Sequence, residues 1–255
     1  MQCDNSYNCL KLAIAKPNEF CIVRARKTTT SVDNSNVTIK NFNMAKTYSI
    51  IKGMDIYHQV PKDVDGNPLI KKCTKVPKGL VSFIELKNNH ISEDYAVHFF
   101  LHDQKFECVW NQYHRYTKVL SRYKLLFSPD FSAYMDMPSD LINYNVWRSR
   151  LLGSWWQMNG IDVIPTVTWA GVKSYDKCFS GIEPGGNIAI GPCPLRDKKA
   201  SNRWHAGFYE MYERLQPTCI IIYGCNNLPL LHVNANIITF QNPYIERMRR
   251  NQHGR

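Results

Sequence analysis

Asp130 is the residue whose surroundings in the sequence most suggest chemistry. It follows the apolar run LLFSP, with Asp136 six residues further on and Phe131 and Tyr134 between the two carboxylates. A carboxylate beside aromatic surfaces can have a raised pKa and act as a general acid or base. An aspartate after a proline also commonly caps a turn through a backbone N–H, so a structural role is the competing interpretation. We predict Asp130 and Asp136 as candidate catalytic residues.

Two arginines in the segment that follows are candidates for binding a substrate. Arg148 and Arg150 lie two residues apart on a predicted helix, so one can reach the site while the other meets solvent. An arginine beside Asp130 would either bind a phosphate bidentately or pair with the aspartate. Ser128, two residues before Asp130, belongs to the same candidate binding set.

Two aromatic residues that follow apolar runs complete the candidate site. Trp169 ends the run DVIPTVTW, and Tyr223 lies near the end of TCIIIYG. An aromatic face at such a position offers a stacking surface for a base or a sugar. Packing in the core at the end of a strand is the alternative for Trp169.

The elements that must position these residues alternate between short apolar runs and longer segments of helical period. The segments 103–122, 139–159 and 202–216 carry aromatic or apolar side chains at spacings of three and four, which predicts helices with one buried face. The apolar runs are VSFIEL, AVHFFL, KLLFSPDF, DVIPTVTW, NIAIGP, TCIIIYG and ANIITF. Apolar residues at consecutive positions indicate parallel strands covered on both faces.

Repeated βα units of this kind predict an α/β fold with a parallel sheet. A partial or complete TIM-like barrel and an open doubly wound sheet fit the pattern equally well. In either architecture ligands bind beyond the carboxyl ends of the strands. The residues at those positions are Asp103, Ser128 to Asp130, Thr168, Trp169, Gly191, Tyr223, Gly224 and Gln241.

The positive charge is concentrated at the two ends of the chain. Residues 1–80, predicted as a loop- and strand-rich extension, carry a net charge of +7, and the tail 244–255 carries +3. The predicted core domain, residues 81–243, carries only +1. Basic ends on a neutral body suggest contacts with DNA or RNA, and the alternative is that they keep the protein in solution.

Several classes of protein and site are disfavoured. No apolar run reaches membrane-spanning length, and the first residues lack the order of a signal peptide, so we expect a cytoplasmic protein with its nine cysteines reduced. His98 and His102 are four residues apart, but no third ligand is evident, and no metal is predicted. The motifs GxSxG and HExxH are absent. Nothing in the sequence identifies a cofactor or an oligomeric state.

The chain resembles a family of bacterial, phage and mobile-element proteins that is known as a domain of unknown function. The resemblance covers about residues 80–243, and its most specific segments are FSPDFS, NGIDVIPTVTW and CFSGI. It implies a compact α/β domain that is often carried on mobile DNA, in the host cytoplasm where a phage encodes it. It supplies no activity to transfer.

Three functional hypotheses follow. The first is a nucleic-acid-associated accessory protein whose basic ends hold phosphates. The second is an enzyme acting on a nucleotide or another small phosphorylated substrate at the strand ends. The third is a binding protein that sequesters a host factor or signal in phage–host conflict.

Overall fold

The structure is a computed structural model that describes residues 51–86, 92, 94–191, 197–224 and 232–242. The strands and loops predicted within residues 1–50, and the basic tail 244–255, lie outside the described residues.

The seven apolar runs form eight short strands, because Pro165 divides the run DVIPTVTW in two. Proline has no backbone N–H to donate to a neighbouring strand, so the ladder is interrupted at that residue. The strands are β1 (Gly79–Ser82), β2 (Tyr95–His98), β3 (Leu125–Phe127), β4 (Asp162–Ile164), β5 (Thr166–Val167), β6 (Ile188–Ile190), β7 (Cys219–Tyr223) and β8 (Asn236–Phe240).

All pairings between these strands are parallel, and the strand order follows the chain. One sheet has the order β1-β2-β3-β4, and the other has the order β5-β6-β7-β8. The carbonyl of Pro165 accepts a hydrogen bond from the N–H of Ala189 at 2.9 Å, so the segment 162–167 borders β3 on one side and β6 on the other. The predicted parallel α/β fold is confirmed.

The order of the strands distinguishes between the two predicted architectures. A doubly wound sheet reverses its strand order at a switch point, and the described strands show no such reversal. Inward-facing side chains of both sheets also share one apolar cluster, which includes Leu125, Phe127, Ile164, Ala189 and Ile221. The intervening residues Leu126, Val163, Ile188, Ile220 and Ile222 pack in two further clusters that contain helix residues. This is the layering of a barrel, and within the described residues no pairing joins β8 to β1.

Helices cover the outer face of the strands. They are α1 (Met54–Tyr57), α2 (Glu107–Asn111), α3 (Tyr113–Leu120), α4 (Ser139–Met158), α5 (Tyr175–Cys178) and α6 (Lys198–Leu215), with 3₁₀ turns at Phe83–Glu85, Asp103–Lys105 and Val172–Ser174. The prediction of one helix over 103–122 is wrong, because Gln112 has φ −135° and ψ 49° and separates α2 from α3. The stripe predicted on α6 is confirmed, since Trp204, Phe208, Met211 and Leu215 are buried.

Residues 51–78, which precede the first strand, pack against this body. Ile56 and Ile70 are fully buried in the same cluster as Leu151 and Trp156 of α4. The backbone of Ile70 donates to the carbonyl of Gly181 at 2.9 Å and accepts from the N–H of Glu183 at 3.0 Å. Part of the predicted N-terminal extension therefore belongs to the hydrophobic core. No helix in the described ranges has the length and apolar character needed to cross a membrane.

Ile70→Ala tests whether this segment contributes to the stability of the whole fold. Removing a buried aliphatic side chain leaves a cavity, so we expect a loss of about 2–5 kcal/mol in the free energy of unfolding, measured with urea. Val64→Ala, at a fully exposed position, is the control and should change the stability by less than about 0.5 kcal/mol. Equal stability of the two variants would show that the segment is not part of the cooperative unit.

Candidate functional site

A cavity of about 990 Å³ lies where the strands of both sheets end. Residues from the carboxyl end of β2, β3, β5, β6 and β8 line it, among them Phe100, Asp130, Trp169, Gly191 and Gln241. Its volume is at the upper end of the range of small-molecule sites, about 300–1,000 Å³. The cavity occupies the place at which parallel α/β proteins bind their ligands.

The carboxyl group of Asp130 faces this cavity. The side chain is only partly exposed, and within the described residues it has no hydrogen bond or ion pair. Loss of water around the carboxyl raises its pKa to about 7, and the negative charge of Asp103 acts in the same direction. The positive charge of Arg150 opposes the shift without reversing it. Asp130 is therefore divided between acid and base near neutral pH.

The loop that carries Asp130 is held by hydroxyl groups. The hydroxyl of Ser149 on α4 donates to the carbonyl of Pro129 at 2.7 Å. Ser128 accepts from the backbone N–H of Thr166 at 2.9 Å through its hydroxyl, and its carbonyl accepts from the Thr166 hydroxyl at 2.7 Å. Ser128 is fully buried and does not line the cavity, so its contacts position the loop.

A second set of hydrogen bonds holds the loop just after Asp130. Asp103 accepts from the Ser132 hydroxyl at 2.8 Å and from the Ser132 N–H at 3.2 Å. The carbonyl of Ser132 accepts from the side-chain amide of Asn145 at 2.7 Å. The loop is thus held on both sides of Asp130 along the chain.

The structure places both predicted arginines away from the cavity lining. Arg148 donates to both carboxylate oxygens of Glu107 at 2.8 Å, and its guanidinium lies 3.5 Å from the centre of the Phe131 ring. Arg150 donates to the carbonyls of Thr166, Cys178 and Ser180 at 3.0, 2.8 and 3.1 Å. Arg148 is engaged by Glu107 and Arg150 by three carbonyls, and neither arginine lines the cavity, so neither side chain is placed to hold a phosphate there.

Asp136, the second candidate carboxylate, is exposed in the turn before α4 and is not part of the cavity lining. The structure therefore does not bring Asp136 together with Asp130 in one site.

His98 lines the same cavity and was considered in the sequence only as a metal ligand. It is 3% exposed, and its burial lowers the pKa to about 4, so the ring is neutral at physiological pH. Its Nδ1 atom accepts from the N–H of Phe100 at 3.3 Å, which leaves the proton on Nε2. The position of His98 at the end of β2 is the signal that could have identified it. No cluster of three potential metal ligands exists among the described residues.

Trp169 and Tyr223, the predicted aromatic candidates, both line the cavity. Tyr223 stacks on Phe100, with ring centroids 5.1 Å apart and an interplanar angle of 13°, and lies 4.5 Å from His98. Trp169 packs against Trp204 at 5.9 Å, and it crosses α6 at Gly207, where an added Cβ would overlap the indole ring. Both aromatics therefore contribute to the packing and to the cavity surface.

Two cationic residues of the lining, Lys105 and Arg203, were not recognised in the sequence. Lys105 lies at the end of the 3₁₀ turn after β2, so the strand-end rule could have included it. Arg203 lies on α6 beside Trp204 of the amphipathic pattern. That pattern does not indicate that the arginine also lines the cavity.

The fold and the cavity together define a class: a parallel α/β protein with a ligand-sized cavity beyond its strand ends. The chain belongs to the family described as Domain of unknown function (DUF4417), which matches residues 62–241. This confirms the family resemblance seen in the sequence, and the match begins earlier, within the segment that contains Ile70.

Two phage proteins are similar to this chain. The "Gene 1 protein" of Mycobacterium phage D29 is 34% identical over 173 residues, which cover 65% of this chain and 64% of the phage protein. The "Gene 1 protein" of Mycobacterium phage L5 is 36% identical over 143 residues, which cover 54% and 62% of the two chains. The chain thus spans somewhat less than two thirds of the length of these curated relatives. No solved structure matches it.

The raised pKa of Asp130 predicts a specific dependence of stability on pH. An unfolded aspartate ionises near pH ~3.9, whereas Asp130 ionises near pH 7 in the folded protein. Between these values the folded state binds the extra proton, so the contribution of Asp130 to stability falls as the pH rises. We expect wild type to lose stability relative to Asp130→Asn as the pH rises from about 4 to about 7, as measured by urea unfolding.

His98 changes the stability with pH in the opposite direction, and this effect cancels when wild type is compared with Asp130→Asn. Because the pKa of His98 is lowered, its contribution to stability is lost as the pH falls below about 6.5, equally in both proteins. Asp136→Asn, at an exposed aspartate, is the matched control and should follow wild type. Parallel curves for Asp130→Asn and wild type would contradict the assignment.

Proposed function

We propose that this phage-type protein is an enzyme that transfers a proton between Asp130 and a small molecule bound in the cavity. The observation that carries the proposal is a partly exposed carboxyl without a protein partner, which faces a cavity of about 990 Å³ and has a pKa of about 7. A catalytic acid or base works best when its pKa lies near the pH of the cell. An aspartate that only capped a turn would instead accept a backbone N–H, and the carboxyl of Asp130 accepts none in the described part of the chain.

Neighbouring groups support proton transfer at this position. His98 keeps its proton on Nε2 and offers a neutral hydrogen-bond donor in the same cavity. Phe100 and Tyr223 provide apolar surface, which limits the water around a bound substrate. The substrate class that we favour is a nucleotide or another small phosphorylated compound, and the site of action is the cytoplasm of the bacterial host.

The enzyme proposal is tested with a panel of nucleotides, nucleosides and sugar phosphates, each incubated with protein and followed by mass spectrometry. We expect wild type to convert at least one compound and Asp130→Asn to be slower by about 10²–10⁴-fold, because a general acid or base contributes that much. The asparagine keeps the shape of the side chain, so the melting temperature should not fall. Asp136→Asn is the control and should retain the full rate.

Two results would overturn the proposal. A wild-type rate in Asp130→Asn would remove Asp130 from the mechanism. Stoichiometric binding of a compound without any conversion would favour the sequestering protein as the function.

A second candidate function is binding of nucleic acid through the basic ends. Its support is the net charge of +7 in residues 1–80 and +3 in residues 244–255, on a body that is nearly neutral. Electrostatic contacts of this kind release counterions, so the affinity should fall steeply with salt.

The test of nucleic-acid binding is fluorescence anisotropy with short DNA and RNA over a series of salt concentrations, using the full chain. Replacing Arg247, Arg249, Arg250 and Arg255 with glutamine should reduce the slope of log K against log salt by about 0.7–0.9 for each lost phosphate contact. Lys118→Gln, on α3, is the control and should keep the wild-type slope. Absence of binding at low salt would exclude this function.

A further inference from the structure

The cavity contains an arginine that the protein leaves without a partner. Arg203 on α6 is half-buried and lines the cavity, and within the described ranges its guanidinium forms no hydrogen bond and no ion pair. Other arginines differ: Arg148 is held by Glu107, Arg150 by three carbonyls, and Arg214 by Asp176 and Glu210. A half-buried guanidinium without a protein counterion is open to an anionic ligand.

The carboxylates of the cavity do not supply that partner. Glu85 lines the cavity, but its Oε2 atom accepts from the N–H of Ser82 at 3.2 Å in the turn after β1. Asp130 forms no ion pair with Arg203 in the described part of the protein. Lys105, from the loop after β2, adds a second cation that likewise has no side-chain partner there. Within the described residues, neither cation of the lining is paired with a carboxylate.

The same helix face brings the arginine close to an aromatic wall. Ala200, Arg203 and Trp204 all line the cavity, and their spacing of three and four residues places them on one side of α6. Gly207 continues that side by one turn, and the indole of Trp169 lies against it. Because Gly207 has no side chain, the indole of Trp169 can lie directly against α6. Trp169 also lines the cavity.

We propose that the cavity binds a nucleoside phosphate, with the phosphate on Arg203 and the base against Trp169. The guanidinium group matches the geometry of phosphate oxygens, and tryptophan offers a large flat surface to a planar ring. Lys105 increases the attraction for the anion from another strand end. The proposal rests on the cavity of the proposed function, but it concerns binding and does not require proton transfer at Asp130.

The experiment is calorimetric titration of the full chain with three probes: adenosine 5′-monophosphate, adenosine and ribose 5-phosphate. Arg203→Gln should weaken the two phosphorylated probes by about tenfold to a hundredfold and leave adenosine unchanged, because only a charge-assisted hydrogen bond is lost. Trp169→Phe should weaken the two adenine-containing probes and leave ribose 5-phosphate unchanged. Lys105→Gln should weaken the phosphorylated probes by a smaller factor that disappears at high salt.

The control is Arg122→Gln, an exposed arginine outside the cavity lining, which should bind all probes as wild type does. The proposal is overturned if wild type binds adenosine monophosphate no better than adenosine, if it binds neither at millimolar concentration, or if Arg203→Gln weakens all three probes equally.

The outcomes separate this inference from the proposed enzyme. Asp130→Asn should still bind adenosine monophosphate, because Asp130 is not one of the phosphate contacts. The predicted binding pattern without conversion of any compound would reject the enzyme and keep the phosphate site. Conversion of an uncharged compound by a protein that does not bind adenosine monophosphate would reject the phosphate site and keep the enzyme.

Discussion

Two hydrogen bonds between Ser128 and Thr166 join the loop after β3 to the start of β5, beside the cavity. Pro165 interrupts the strand beside β3. At that point the hydroxyls of Ser128 and Thr166 take part in the hydrogen bonds that link the two segments. Arg150 then donates to the carbonyl of Thr166, and Ser149 to that of Pro129. These bonds satisfy buried backbone groups that the proline leaves outside a regular sheet. They also hold the two residues that precede Asp130.

This arrangement explains why Asp130 has a nearby positive charge and yet no ion pair. The guanidinium of Arg150 is occupied by three carbonyls, so it acts on Asp130 only through space. The negative charge of Asp103 raises the proton affinity of Asp130. Asp103 itself accepts a hydrogen bond from the Ser132 hydroxyl, and its Oδ2 atom lies 3.9 Å from a guanidinium nitrogen of Arg148. A carboxyl in such surroundings binds a proton more readily than one in water. Because both arginines are engaged elsewhere, neither forms an ion pair with Asp130.

The sequence was sufficient for the strands and only partly sufficient for the site. Consecutive apolar residues mark strands covered on both faces, and all seven runs overlap strands, although Phe83–Glu85 of VSFIEL form a 3₁₀ turn. The rule for strand ends then placed Asp130, Trp169 and Tyr223, which all line the cavity. The helical period gave no information about the partners of Arg148 and Arg150. Glu107 lies 41 residues from Arg148, and the carbonyls around Arg150 converge only when the chain is folded.

The break of the predicted helix at Gln112 has a similar origin. Apolar spacing continues across this residue, because Val109, Trp110 and Leu120 are all buried, although the backbone changes direction between them. Periodicity reports which side chains are buried, and it does not report whether one helix or two carry them. The core contribution of Ile56 and Ile70 was missed because the polar, turn-rich sequence around them obscured two isolated apolar anchors.

Asp130 and Arg203 present the same physical problem with opposite charges. Each is partly enclosed by the same cavity, and each lacks a protein partner within the described residues. A protein selected only for stability would place such groups in contact or replace them with apolar side chains, since unpaired charges in an enclosed space are costly. Among the described residues, Asp130 and Arg203 form no ion pair with each other. A ligand that carries an anionic group for Arg203 and a proton donor or acceptor for Asp130 satisfies both residues at once, and binding of that ligand offsets the cost of keeping them apart.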